Sequence, residues 1–296
     1  MVEKVTVAVD GGPASDAALA WVIDRARTVN MEVELTSVVG VDLDLPVGDG
    51  ANFLAPYEQA LSQAQAQITA ALPNLVVTTK VLHGIAREAL ILASQHTDLL
   101  VIGSNKTSPI VGIMHGTLPL KVAGQSRCTT VVVPFDWKPR EGAVVVGWVD
   151  DQTAETACEF AVAEASRRHA PVTLVHAWSI PPVAPMDAAA AAVLTETLLS
   201  TDRRLLAETA HRLKLTHPDV QINEMLESGS AAVAIVRAAH DASLVVVGSR
   251  GRGAVVGFFL GSVSHDVLVN MPAPVAVIPH KREPIDVYPE LVDEYL

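Results

Sequence analysis

At 296 residues the chain is long enough for two domains of about 150, each able to bury roughly two thirds of its unfolded surface. Half of the residues are hydrophobic but only 4% are aromatic, so the cores must be built from Val, Leu, Ile and Ala, as in parallel strands buried under Ala-rich helices. A formal charge of −12 argues against a nucleic-acid binder, which needs clustered Lys and Arg, and no apolar run reaches the roughly 18 residues of a membrane span.

Val5 to Val9 reads as a short buried strand ending at Asp10 rather than as a signal segment, and a cytoplasmic chain is expected. Ser15 or Asp16 is expected to cap the next helix, whose apolar Ala18, Leu19, Val22 and Ala26 fall at helical spacing. Val33 to Val39 is a second strand. The loop after it carries Asp42, Asp44 and Asp49, read as solvated rather than as a cation site. Tyr57 to Ala71 is a helix, Val76 to Val81 a strand, Ile85 to Gln95 a helix, and Leu99 to Ile102 and Val131 to Val133 are strands four and five. Pro134 to Gly142, with two prolines and mixed charge, is the linker. Beyond it the pattern restarts, with strands at Val144 to Trp148, Val172 to Trp178 and Ile222 to Leu226 and helices at Glu155 to Arg168, Ala188 to Arg212 and Ala231 to His240. Strand and helix alternate throughout, which predicts an α/β fold of two doubly wound, open, parallel five-stranded sheets with helices on both faces. Cys128 and Cys158 show no metal spacing and are expected to be buried, inert thiols in a reducing compartment. The ten histidines form no metal-binding pair, and His176 reads as a strand residue facing the sheet's edge or a helix.

The second copy ends in Leu244-Val245-Val246-Val247-Gly248-Ser249-Arg250-Gly251, nine further residues, and Gly261-Ser262-Val263. Glycines between a buried strand and a helix let the backbone approach an anion closely, and Ser262 is expected to cap that helix, whose free amides attract negative charge. The same stretch occurs earlier. An offset of 145 aligns Asp98 to Pro134 with Ser243 to Pro279 without a gap, placing Gly103 on Gly248 and Gly116-Thr117 on Gly261-Ser262. The first two strands align at an offset of 139, so the second copy carries six extra residues between strands two and three.

The spacing Gly-x2-Gly-x9-Gly-[Ser/Thr] after a hydrophobic fourth strand resembles the ATP-binding signature of universal stress proteins. Val7-Ala8-Val9-Asp10-Gly11-Gly12-Pro13-Ala14-Ser15, Glu164-Ala165-Ser166-Arg167-Arg168 and Leu174-Val175-His176-Ala177-Trp178 also fit that family. The resemblance implies a tandem pair of Rossmann-like domains of the adenine nucleotide alpha hydrolase-like type over residues 1–135 and 142–280, followed by a tail at 281–296. It implies ATP as ligand, with or without Mg, and a stress-response regulator that forms a homodimer of tandem chains. It places the strand-one Asp beside the ribose, a strand-two backbone group on adenine and the glycines on ribose and phosphates. In the first copy these are Asp10, Val38, Gly103, Gly116, Thr117 and Leu118; in the second they are Ala177, Gly248, Gly251, Gly261, Ser262 and Val263, with Arg250 reaching phosphate or remaining a surface charge.

Each copy departs from the pattern. Lys106 stands where the second copy has Gly251, and Val149 where the first has Asp10, unless a one-residue bulge brings Asp150 there. An intact signature favours the second copy for ATP. No nucleophile-base pair or metal-carboxylate set accompanies the signature, so at most slow hydrolysis is expected. Two rival readings are an ATP pyrophosphatase-type enzyme, faintly suggested by Asp10 to Ser15, and a nucleotide-free protein-binding scaffold. The resemblance also implies that the halves pack about a pseudo-twofold axis through their last strands, Val131 to Val133 and Val275 to Ile278, whose apolar edges would otherwise be exposed.

Overall fold

The computed structural model describes residues 2–40, 54–105, 117–151, 153–179, 188–249 and 260–280. The first copy comprises β1 (Glu3–Ala8), α1 (Pro13–Ala26), β2 (Met31–Val39), α2 (Ala55–Ala71), β3 (Val76–His83), α3 (Ala86–Ala93), β4 (Leu99–Ser104), α4 (Thr117–Gln125) and β5 (Thr129–Pro134). The second comprises β6 (Val144–Gly147), α5 (Ala154–Arg168), β7 (Val172–Trp178), α6 (Ala188–Thr216), β8 (Ile222–Ser228), α7 (Ala231–Ala238), β9 (Leu244–Gly248), α8 (Ser262–Val269) and β10 (Val275–Ile278).

The expected parallel sheets form, but they do not stay separate. One continuous sheet runs β3-β2-β1-β4-β5-β10-β9-β6-β7-β8, and its β5–β10 junction is antiparallel. At that seam Val275 pairs with Val132, Ala276 with Val131 and Val277 with Thr130, so the edge of each copy is closed by the other. Strands β4, β5, β9 and β10 are almost wholly buried, which is why they read as continuous Val, Ile and Leu runs rather than as alternating ones.

Each face of the sheet carries one apolar cluster that spans both copies. One joins Trp21 and Leu19 of α1, Leu61 and Ile68 of α2, Val162 of α5 and Leu206 and Leu213 of α6. The other joins Leu90 of α3, Val122 of α4, Ile235 of α7 and Leu268 of α8. Between α1 and α5 the first cluster holds a buried charge network. The Arg25 guanidinium, 2% exposed, donates to Glu164 from Nη2 at 2.7 Å and from Nε at 3.1 Å, and Glu164 is 1% exposed. Glu3 accepts from Arg25 at 2.5 and 3.1 Å, Arg167 donates to Glu164 at 2.5 Å, and Trp21 lies 5.8 Å from the guanidinium carbon. Burial alone would lower the Arg25 pKa, but Glu164 and Glu3 outweigh it and raise it above its ordinary value.

Helix starts differ from the sequence expectation. Helix α1 begins at Pro13, whose fixed φ suits a first helical turn, with Gly12 as N-cap; Ser15 is already inside and donates to the Gly12 carbonyl at 2.9 Å. Helix α6 extends four residues beyond Arg212, to Thr216. The linker is docked against the second copy, with the Arg140 Nη2 donating to the Pro272 carbonyl at 2.5 Å and Gly142, at φ +152°, lying against the Asp241 carbonyl.

Both cysteines are buried, and burial pushes the Cys128 thiol up to about 11 and the Cys158 thiol up to about 12. Unfolded thiols ionise near 8.5, so unfolding at alkaline pH releases protons. The stability these thiols contribute is present in full below that value and is lost as pH rises toward 11 and 12, by about 1.4 kcal/mol per pH unit for each thiol. Chemical denaturation between roughly pH 8.5 and 10.5 should therefore show a shallower alkaline loss for Cys158→Ala than for the parent chain. Equal slopes would count against an ionisation-linked loss.

Candidate functional site

The carboxyl ends of β1, β2 and β4 open onto a cavity of about 400 Å³ in the first copy, where a doubly wound sheet reverses its strand order. Four residues singled out from the sequence line it: Asp10, Val38, Gly103 and Leu118. Ladder geometry places them there. Val9 donates its amide to Thr36 at 2.8 Å, which ends β1 beside β2 and leaves Asp10 at the rim. Asp10 Oδ1 then accepts the Gly12 amide at 2.8 Å, closing a turn in which Gly11 takes φ +77°. The Asp10 carboxylate is thus both a turn former and a cavity wall.

Gly103 is required for a different reason. A Cβ there would stand 2.0 Å from the Ala14 carbonyl oxygen, so absence of a side chain lets α1 lie directly on β4. Thr117 and Leu118 begin α4, whose N-terminal turn faces the same end of the sheet. Ser15, Ser37, Tyr57, Ala86 and Asn105 also line the cavity and were missed in the sequence reading. Ser37 Oγ donates to the Val9 carbonyl at 2.8 Å and ties the two strand ends together. Tyr57 sits near the start of α2, a place no motif marks.

In the second copy the ladders keep the offset of 139 through the strand end: Trp148 donates to Val175 at 2.8 Å as Val9 does to Thr36. This aligns Val149 with Asp10. Asp151 takes over the start of α5, its Oδ1 accepting from the Thr153 amide at 2.8 Å and hydroxyl at 2.7 Å. Gly248, Gly261, Ser262 and Val263 come together at the junction of β9 and α8, where the Gly261 amide donates to the Ser249 carbonyl at 2.8 Å. That bond sets the helix start one residue earlier than expected. Gly261 is the N-cap, Ser262 is the first helical residue and not a cap, and Ser264 hydrogen-bonds the Gly248 carbonyl instead. Ala177 lies on β7, beside β8. Its neighbour His176 is buried, donating from Nδ1 to the Trp148 carbonyl at 3.0 Å with Nε2 3.4 Å from Asp202 of α6. A carbonyl can only accept, which fixes the proton on Nδ1.

Gly116, Arg250 and Gly251, together with Lys106 and the acidic loop of Asp42, Asp44 and Asp49, lie outside the described residues. Among the described residues no cluster of three His, Cys, Asp or Glu is arranged to hold a metal, and no helix is long and apolar enough to cross a membrane.

Two strand-loop-helix units of this kind, joined through their last strands, identify the chain by comparison with known proteins. The family model described as Universal stress protein family matches twice, over residues 1–134 and 142–279. The chain belongs to the universal stress protein family. A universal stress protein of Mycobacterium tuberculosis is 27% identical over 306 residues, spanning 95% of this chain and 96% of the relative. One from Mycolicibacterium smegmatis is 29% identical over 290 residues, spanning 93% and 96%. Among solved structures, a universal stress protein from Archaeoglobus fulgidus superposes with a TM-score of 0.67 at 17% identity, covering 94% of this chain and 98% of that one. These universal stress proteins thus share the tandem length, and the Archaeoglobus structure shares the fold.

Proposed function

We propose that this universal stress protein binds an adenine nucleotide, ATP in the first instance, and acts as a nucleotide-responsive regulator. The observation that carries the reading is the first-copy cavity, lined by Asp10, Val38, Gly103 and Leu118 at the switch point of the sheet. Apolar Val38, Leu90 and Ile102 line it together with polar Asp10, Ser37 and Asn105, as a base and ribose require, and the start of α4 supplies amides toward an anion. The second copy is proposed as another nucleotide site through Gly248, Gly261 and Ser262, with the unbroken glycine signature of the sequence favouring it. A homodimer of tandem chains and a cytoplasmic location belong to the same proposal.

Mass spectrometry of nucleotide released on denaturing the purified chain tests the reading, and calorimetric titration with ATP locates the sites. Loss of the Asp10 carboxylate in Asp10→Ala removes one hydrogen-bonding partner, so affinity of the first-copy site should fall by up to about tenfold, equivalent to roughly 1.5 kcal/mol. Gly261→Val blocks backbone approach and should remove the second-copy site. A folded chain that releases no nucleotide and gives no heat with ATP would leave the scaffold reading in its place.

The same proposal makes the protein a binder rather than a fast enzyme. Phosphate release from ATP should run far below the roughly 10 per second typical of enzymes. Ordinary turnover, abolished by Asp10→Ala, would establish the enzymatic reading instead.

A further inference from the structure

Arg25 and Glu164, which form the buried ion pair between the copies, are separated by 139 residues, and 139 is also the offset that superposes the first two strands of one copy on those of the other. The ion pair therefore joins equivalent positions. The seam gives the same result independently, because Val131 and Ala276 are equivalent at the offset of 145 and are direct partners in the antiparallel β5–β10 ladder. A twofold axis carries every residue onto its equivalent, so positions that face their own equivalents lie on the axis. Both pairs do.

A position on the axis has a special property. If two first copies from different chains met through this face, Arg25 would face Arg25; if two second copies met, Glu164 would face Glu164. Both side chains are at most 2% exposed, and like charges buried together are neither screened by salt nor relieved by water. The surrounding charges travel with their own copies in any such contact: on the first copy Glu3 touches Arg25 and Asp24 flanks it, and on the second Arg167 touches Glu164 and Arg168 pairs with Asp24 at 3.1 Å. We propose that Arg25 and Glu164 act as a pairing code that admits only unlike copies to this interface, each face accepting a domain of the same fold that carries the opposite charge on the axis. Like-copy association has a specific hazard in a tandem chain. First copies pairing with first copies and second with second can link chains head to head and tail to tail into open polymers, wherever the two contacts are not made by the same pair of chains. Rejecting those contacts is a role in which a buried ion pair outperforms an apolar one, since apolar side chains would fit either partner.

Two full-length variants test the code. Glu164→Arg places positive charge at both axis positions, and Arg25→Glu places negative charge at both. Each is purified separately, one isotopically labelled, and the two are then denatured and refolded together. Within either chain the copies now repel on the axis, but between the two chains both unlike pairings are restored. The expected product is a one-to-one heterodimer of labelled and unlabelled chains, outnumbering the two homodimers combined by about tenfold or more in native mass spectrometry, where statistical pairing would make them equal. Parent chains treated in the same way should show only the statistical share. The single-chain double variant Arg25→Glu/Glu164→Arg should recover the parent's mass and melting temperature. Should either single variant fail to fold alone, recovery of soluble heterodimer from joint refolding supports the code, and its absence overturns it. Variants that each keep the parent's mass and melting temperature, or a mixture with no heterodimer excess, also overturn it.

Discussion

Glu164→Ala is expected to lower stability by about 3–5 kcal/mol, read as a shift of the denaturant midpoint without a change in slope. The carboxylate accepts from Arg25 and Arg167 at once, and it is 1% exposed. Its removal leaves the Arg25 guanidinium buried with Glu3 as its remaining carboxylate neighbour among the described residues. Arg167 is 35% exposed and can turn to water, so the cost is concentrated on Arg25. Replacing both partners, as in Arg25→Leu/Glu164→Leu, should recover most of the loss because no charge is then stranded. A single variant within about 1 kcal/mol of the parent would mean that the network contributes nothing beyond an exposed ion pair.

Gly103→Ala should cost more than about 3 kcal/mol, the upper range for overpacking, because the added methyl meets backbone rather than a rotatable side chain. Its Cβ would lie 2.0 Å from the Ala14 carbonyl oxygen and 2.2 Å from the carbonyl carbon, so α1 must lift from β4. The cavity wall moves with it, and ATP titration of the surviving folded fraction should show weakened binding at the first-copy site. Two companion variants separate crowding from backbone strain. Gly84→Ala has open space but φ +124°, so it should lose only about 1–2 kcal/mol through strain. Gly40→Ala has open space and no such φ, so it should be nearly silent. If all three variants lose the same amount, close approach is not what Gly103 provides.

The repeat and the alternation of strand and helix were legible because they rest on long apolar runs and on an ungapped internal alignment, signals that survive any local detail, and the meeting of the last strands followed from the family resemblance. Helix starts were not. Ser15 and Ser262 are both good capping residues, yet Gly12 and Gly261 cap the helices three positions and one position earlier, because the turn at Gly11 and the Gly261–Ser249 bond set the chain direction first. Asp10, Val38, Gly103 and Leu118 could be placed at one site from the family resemblance and the strand ends. Tyr57 and Asn105 could not, since each reaches the cavity from an element boundary without periodicity or motif. Arg25 and Glu164 were equally opaque: an equal offset becomes informative only once the fold shows that the two residues face one another.

The seam between β5 and β10 has a consequence during synthesis. Strand β5 is complete at Pro134, but its partner β10 ends at Ile278 and is the last strand of the sheet to be made. At elongation rates of roughly 5–20 residues per second, the first half waits on the ribosome for about 7–30 s with an unpaired edge of Thr130, Val131 and Val132. An open apolar strand of this kind is a template for pairing with neighbouring nascent chains on the same message. Translation speed through the second half therefore sets how long that edge is exposed, and pauses placed between residues 142 and 275 should raise the aggregated fraction, whereas pauses before β5 is made should not.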